Sequence, residues 1–547
     1  MPKEPVAVGS GGAAATVDVH ATRAAIDILE QGGNAVDAAV AAAAVLGVTE
    51  PYSCGVGGGG FMLIRTRSGL VTTIDHRETA PAAMRPDSFF EVGQPLAFNA
   101  ARFSGLSVGV PGTVRGWDEA LGRYGTMALG ALLQPAIEVA SEGFVVDQTF
   151  FDQTQQNVDF FDDITSTRAV YLDPDGTPPD IGTTFANPDL ARAYARIAML
   201  GAKGFYRGAI ADAMVEAVRS PPVVPDANHV WRPGRMTMRD VMRYAAPERP
   251  PTWVGYRGLD VYGMGPPSSG GSTVGEALNI LEGWDLGGDR IEALHRFLEA
   301  SAVSFADRNR YLADSDFVDV PLAGLLSDSY AAERRPLIGN HTGVPYLFGD
   351  PTENEGPSTT HLTVADRWGN VVSYTFTIES TGGAGITVPG WGFLLNNELT
   401  DFNFDSLTHA NRVEGGKRPR SSMSPTIVLD DGRPLLAVGS PGGSMIITTV
   451  LQILLNRFDF GMALPDAVAA PRASQRNTAS VFAEPAFRTA YEAALGERGH
   501  SFVTTAEIGA ATGIEFLPGG LVQAVAEPTR RGGGSAMVQE PALVTLH

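Results

Sequence analysis

A chain of 547 residues with 44% hydrophobic and 18% charged side chains has the make-up of a globular protein, large enough for one big α/β unit or two packed halves. Its 40 basic against 61 acidic residues leave a net charge of −21, which repels phosphate backbones and anionic lipid and argues against nucleic-acid and membrane partners. Cys54 is the only cysteine, so no internal disulfide can form, and its apolar, glycine-rich surroundings read as those of a buried inert thiol.

The opening MPKEPVAVGS lacks the apolar run and small-residue cleavage site of a signal peptide. The expectation is a cytoplasmic protein, or a secreted or periplasmic one if a leader has been trimmed away. Residues 20–31 place Ala24, Ala25, Ile28 and Leu29 on one helical face before Gly32-Gly33 ends the pattern. Residues 34–48 are almost all Ala and Val with no polar face, which suits a helix packed on both sides and stopped at Glu50-Pro51. The longest charge-free run there, 38–48, is far short of the ~20 residues a membrane helix needs. Gly-rich 55–60 then reads as a tight turn into a strand at 61–64 and lacks the Lys-Ser/Thr of a phosphate loop.

Ile291, Leu294, Leu298 and Phe305 share one face of a long helix over 291–312. Residues 340–358, rich in Gly, Pro, Asn, Thr and Glu, read as an exposed loop that tolerates cutting. A β-hairpin follows: alternation over 359–365, a turn at 366–370, and alternation again over 371–378. In its second strand Ser373, Thr375 and Thr377 line one face and Val372, Tyr374, Phe376 and Ile378 the other, so the hydroxyl row faces something polar. Helices dominate the first half and strand-like segments the second, which gives a layered α/β class.

Elimination narrows the chemistry. The nine histidines are scattered, so no metal is expected, and no G-x-S-x-G elbow of a serine hydrolase is present. What remains is the joint between the polar loop and the strand that starts at Thr359. If the Thr359 hydroxyl attacks the preceding carbonyl, the peptide becomes an ester, water cleaves it, and Thr359 is left as a free N-terminus. Its α-amine, titrating near pH ~8, then serves as a built-in base. By spacing alone, a Thr-Thr pair opening a strand is ordinary β-propensity.

Ten motifs in order carry a resemblance that raises this reading. GGNAVDAAVAAAAVLGVTEP, GVGGGGFM, IDHRETAP, VPGTVRGW, PPSSGGSTVGEALNILE and FADRNRYLADSDFVDVP lie in the first part of the chain. TTHLTVADRWGN from Thr359, LLNNELTDF from Leu394, RPRSSMSPTIV from Arg418 and GSPGGSMIITTVLQ from Gly439 lie in the second. Together they resemble the γ-glutamyltransferase family over essentially the whole chain. The resemblance implies an N-terminal nucleophile hydrolase with a four-layer αββα sandwich and no cofactor. It implies a precursor cut into a large chain, residues 1–358 ending at Ser358, and a small chain, residues 359–547. Position by position, Thr359 matches the nucleophile, Thr377 the hydroxyl that orients it, and Gly442 and Gly443 the oxyanion donors. Arg77, Ser421 and Ser422 match the holders of the substrate's α-carboxylate, and Glu398 and Asp401 those of its α-ammonium. The implied partners are a small γ-glutamyl substrate and the two halves of the cut precursor, in assemblies that extend to higher oligomers in the family.

Two departures stand out. Glu379 occupies a place where many members carry Asn, adding a third carboxylate and favouring a zwitterionic γ-glutamyl donor over a bare glutaryl one. The stretch from Asp401 to Arg418 is also shorter than in members with a lid. Three readings follow: a γ-glutamyl hydrolase or transferase, a cephalosporin-acylase-like amidase, and a non-catalytic amine-binding protein on the same scaffold.

Overall fold

The computed structural model describes residues 2–348 and 359–542. Three separate hydrophobic clusters define four layers. One joins the N-terminal helices to the outer face of a first sheet, a second lies between two sheets, and a third joins the far sheet to a second helical layer. This is the expected αββα sandwich.

Local chemistry sets the helix ends. Helix Val19–Glu30 starts at Asp18, whose carboxylate accepts the His20 and Ala21 N–H groups. Helix Ala35–Thr49 begins with a capping box in which Asn34 and Asp37 satisfy each other's backbone N–H, and every one of its residues is buried. Both starts lie one residue from those read in the sequence. Helix Arg290–Tyr311 and strand Gly59–Arg65 likewise match their expected places. Cys54 is buried, and burial pushes its thiol far above the ordinary range, as expected of an inert residue.

The first sheet runs, strand by strand, Val71–Asp75, Gly59–Arg65, Val371–Thr377, Thr360–Ala365, Val6–Thr16 and Ser535–Pro541. The second runs Val6–Thr16, Leu521–Ala526, Thr512–Leu517, Arg433–Gly439, Thr426–Asp430, Leu259–Gly263 and Thr252–Tyr256. All of these pairings are antiparallel. The strand Val6–Thr16 belongs to both sheets: on one edge Val6 to Gly9 pair with Leu521–Ala526, and Ala13 to Ala15 with Thr360–Ala365. A register shift falls between Ser10 and Ala13, where Gly11 takes φ +83° and lets the strand turn from one sheet into the other. Between the sheets pack Ala13, Ala15, Ala365, Ala437, Ala524 and Ala536, small enough for close approach.

The expected hairpin is present as Thr360–Ala365 and Val371–Thr377, with Thr360 opposite Phe376. Asp366 accepts the Trp368 and Asn370 N–H groups in its turn. Val372, Tyr374 and Phe376 face the helices. The hydroxyl row faces the second sheet, where Ser373 Oγ donates to the Val438 carbonyl at 3.3 Å and accepts from Thr426 N–H at 3.1 Å. Ser358, the residue before the expected cut, and the end of the preceding loop lie outside the described residues.

Candidate active site

Thr359 stands at the head of strand Thr360–Ala365, which places it at the sheet's end with its side chain toward the inter-sheet space. Alternation sends Thr359, His361 and Thr363 to that face. The His361 ring lies between Thr375 Oγ1, at 2.8 Å, and Thr363 Oγ1, at 3.2 Å, and burial lowers its pKa to about 3, so it stays neutral. It approaches the opposite sheet so closely that a Cβ on Gly439 would lie 2.3 Å from the ring. The neighbouring histidine is thus a packed core group, and Thr359 must find its base elsewhere.

Thr359 Oγ1 donates to Thr377 Oγ1 over 3.4 Å, and Thr377 Oγ1 in turn accepts the Glu379 N–H at 2.8 Å. Both threonines line a narrow cleft with Arg77, Glu379, Glu398, Asp401, Ser421, Ser422, Met423, Gly443 and Ile446. Every site residue inferred from the sequence is in this lining except Gly442, which directly precedes Gly443, and the undescribed Ser358. Gly442 and Gly443 have φ of +133° and +57°, a backbone open to glycine, and they lead into the first turn of helix Met445–Phe458. Backbone N–H groups at a helix start favour negative charge, which suits an oxyanion.

Arg77 follows strand Val71–Asp75, fixed by its N–H to Asp75 and by Tyr244 Oη donating to its carbonyl. Its guanidinium bonds Glu398 and Asp401, and also the carbonyls of Pro419 and Arg420 at 3.3 and 3.1 Å. Burial opposes its charge, but Glu398, Asp401 and Glu78 outweigh this and raise its pKa. The three carboxylates inferred from the sequence therefore do not form one bare negative wall, because Arg77 pairs with two of them. Glu379 stands apart, with φ +77°, accepting from Ser380 Oγ and Asn397 Nδ2.

Several supporting residues gave no signal in the sequence reading. Asn396 accepts the Gly109 and Glu398 N–H groups at 2.9 and 3.0 Å and so fixes the turn that presents Glu398 and Asp401. Arg308, on the inner face of helix Arg290–Tyr311, holds Ser422 Oγ at 2.6 Å and Ser269 Oγ at 2.8 Å. Ser269 N–H bonds the Ser421 carbonyl at 2.8 Å, so the serine pair is held from the second helical layer. The stretch between Asp401 and Arg418 is folded down by Asn411, which bonds the Asp401 carbonyl and Arg420 N–H. Among the described residues no cluster suited to a metal ion occurs.

A strand-heading threonine, a second hydroxyl, helix-start glycines and an Arg-carboxylate cleft within an αββα sandwich define an amidohydrolase of the N-terminal nucleophile class. A sequence model described as Gamma-glutamyltranspeptidase matches residues 21–537, and the chain belongs to that family. The glutathione hydrolase proenzyme of Bacillus subtilis (strain 168) is 38% identical, covering 96% of this chain and 92% of its own. That of Escherichia coli (strain K12) is 40% identical over 84% of this chain and 80% of its own. The solved cephalosporin acylase from Bacillus halodurans superposes with a TM-score of 0.87 at 29% identity, over 99% of this chain and 98% of its own.

Proposed function

We propose that this chain is the precursor of a γ-glutamyl hydrolase and transferase that cuts itself between Ser358 and Thr359. The observation that carries the reading is the 3.4 Å Thr359–Thr377 contact inside a cleft that also holds an arginine, three carboxylates and two serines.

In the first reaction Thr359 Oγ1 adds to the Ser358 carbonyl carbon, the C–N bond breaks and an ester forms. Water then hydrolyses the ester, leaving a carboxylate on Ser358 and a free amine on Thr359. In the second, that amine takes the hydroxyl proton and Oγ1 attacks the γ-carbonyl of the donor. The Gly442 and Gly443 N–H groups stabilise the oxyanion, the leaving amine departs protonated, and water or an amine acceptor releases the acyl group. Arg77 with Ser421 and Ser422 orients the donor's carboxylate, and Glu398, Asp401 and Glu379 its ammonium. A zwitterionic donor meets both signs of charge already present in the cleft.

On a denaturing gel the wild-type chain resolves into two bands on incubation, whereas Thr359→Ala stays as one and loses more than about 10³-fold in glutamate release from glutathione. Thr359→Ser, which keeps hydroxyl and amine, retains part of both. A wild-type chain that stays whole and inert is the result that sinks the proposal in favour of a binding protein. The likeness to an acylase supports a second reading, an amidase for acyl groups without an α-ammonium. Turnover of γ-glutamyl and glutaryl anilides separates the two: γ-glutamyl release is expected to be the faster, and faster glutaryl release selects the acylase.

A further inference from the structure

Arg531 lies 172 residues beyond the nucleophile, in a turn that follows Arg530, and its backbone takes φ +53°, the left-handed region that non-glycine residues avoid. Its N–H bonds Glu507 Oε2 at 3.0 Å, which holds the turn. The guanidinium spans both sides of the cut. One nitrogen donates to the Thr359 carbonyl at 2.7 Å, and the other donates to Ser53 Oγ at 2.6 Å and lies 3.3 Å from Glu50 Oε2. Ser53 also uses its carbonyl to accept the N–H of Ile378, next to Thr377, at 3.1 Å. One side chain and one serine thus tie together the backbones of both threonines.

We propose that Arg531 is the positioning residue of the nucleophile: it clamps the Thr359 carbonyl to the large-chain loop at Ser53, and its positive charge keeps the released Thr359 amine neutral and able to act as base. This rests on the reading of Thr359 as an N-terminal nucleophile. A cation beside the carbonyl of the same residue disfavours a second cation on its nitrogen. Other charges act on that amine as well. Glu50 sits behind Arg531, Arg77 lines the same cleft, and Glu379, Glu398 and Asp401 in that lining favour the protonated amine. His361, two residues on, stays neutral. Arg531 is the cation bonded to Thr359's own backbone, and it opposes the three carboxylates.

The test uses the full chain with Arg531→Lys and Arg531→Gln, following self-cleavage on denaturing gels and kcat and KM for a γ-glutamyl anilide from pH 5 to 10. Removing the charge raises the amine pKa, so in Arg531→Gln the acid limb of kcat moves up by about one pH unit. At pH 7 kcat falls about tenfold while KM for the donor stays within about twofold. Arg531→Lys keeps the limb at its wild-type position. Should Arg531→Gln fail to cut while Arg531→Lys cuts and keeps the wild-type limb, the need for a cation at this place is equally supported. The proposal is overturned if Arg531→Gln overlays the wild type, or if Lys and Gln are impaired alike. A wild-type chain that is neither cut nor active counts against the function itself, and so is told apart.

Discussion

Glu78 follows the cleft's arginine directly in sequence, and the fold buries it completely beside Arg77 and Glu398. Burial outweighs the attraction of Arg77 and raises its pKa to about 8, and burial likewise lifts Glu398 far above the ordinary range. Burial favours the neutral form of both neighbouring carboxyls, which leaves the Arg77 cleft less negative than a count of acids suggests. A group protonated in the folded state and ionised in the unfolded one stabilises below its unfolded pKa of 4.5, and that contribution fades as pH rises through 8. Glu78→Gln keeps a neutral donor at this place. Relative to wild type it should gain on the order of 2 kcal/mol between pH 5 and pH 8, read from denaturant midpoints at the two values. Parallel pH profiles would show that Glu78 ionises without cost.

At this scale the sequence was most informative where role and local structure coincide. Thr359 heads an alternating strand, Thr377 shares its face, and the glycines lie in a turn, so each residue's function is compatible with its neighbours in the chain. Arg308, Asn396 and Arg531 had no such signal. Each acts through a backbone or hydroxyl partner more than 100 residues away, and an arginine that grips a carbonyl looks like any solvated arginine until the chain is folded. Glu398 and Asp401 line the cleft with Arg77, and their pairing with it is a product of tertiary packing.

Among the elements, helix Ala35–Thr49 shows what a motif can do beyond its pattern. Its Ala-Val surface buries on all sides, so polar anchoring falls to its first turn. Asp37 closes the capping box and also accepts from Thr126 N–H and Oγ1 and from Met127 N–H. Asp37→Ala removes all of these while leaving the apolar faces intact. The expected loss is about 2–3 kcal/mol in urea unfolding, with kcat unchanged per folded molecule. A midpoint shift below a few tenths of a molar would place the helix's anchoring in its apolar contacts alone. The helices and the catalytic hairpin were legible because period and caps are local properties. Strand Val6–Thr16 was invisible: VAVGSGGAAAT shows no polar–apolar alternation, since it is buried on both faces over its second half and broken by glycine in the middle. The second sheet's strands at Thr252–Tyr256 and Leu259–Gly263 also passed unread.

For the molecule as a whole, the sheet order decides what happens after cutting. The hairpin that starts with Thr359 lies between Gly59–Arg65 and Val6–Thr16, so strands of the proposed small chain are flanked on both sides by strands of the proposed large chain. In the second sheet Thr426–Asp430 pairs with the large chain's Leu259–Gly263. Separating the two products would strip ladder hydrogen bonds from both sheets, a cost equal to unfolding. The cut protein should therefore run as one species in gel filtration and split into two only in denaturant. Two peaks under native conditions would contradict the interleaved arrangement.

The same interleaving has a consequence for timing. During synthesis Thr359 emerges long before Ser421, Gly443 and Arg531, and strand Val6–Thr16 waits for Leu521–Ala526 and Ser535–Pro541 near the other end of the chain. A half-made polypeptide that includes Thr359 lacks the later residues that meet it in the folded cleft. The proposed backbone cut would thus act as a seal of folding: a molecule that carries it has already brought Ser421, Gly443 and Arg531 to Thr359.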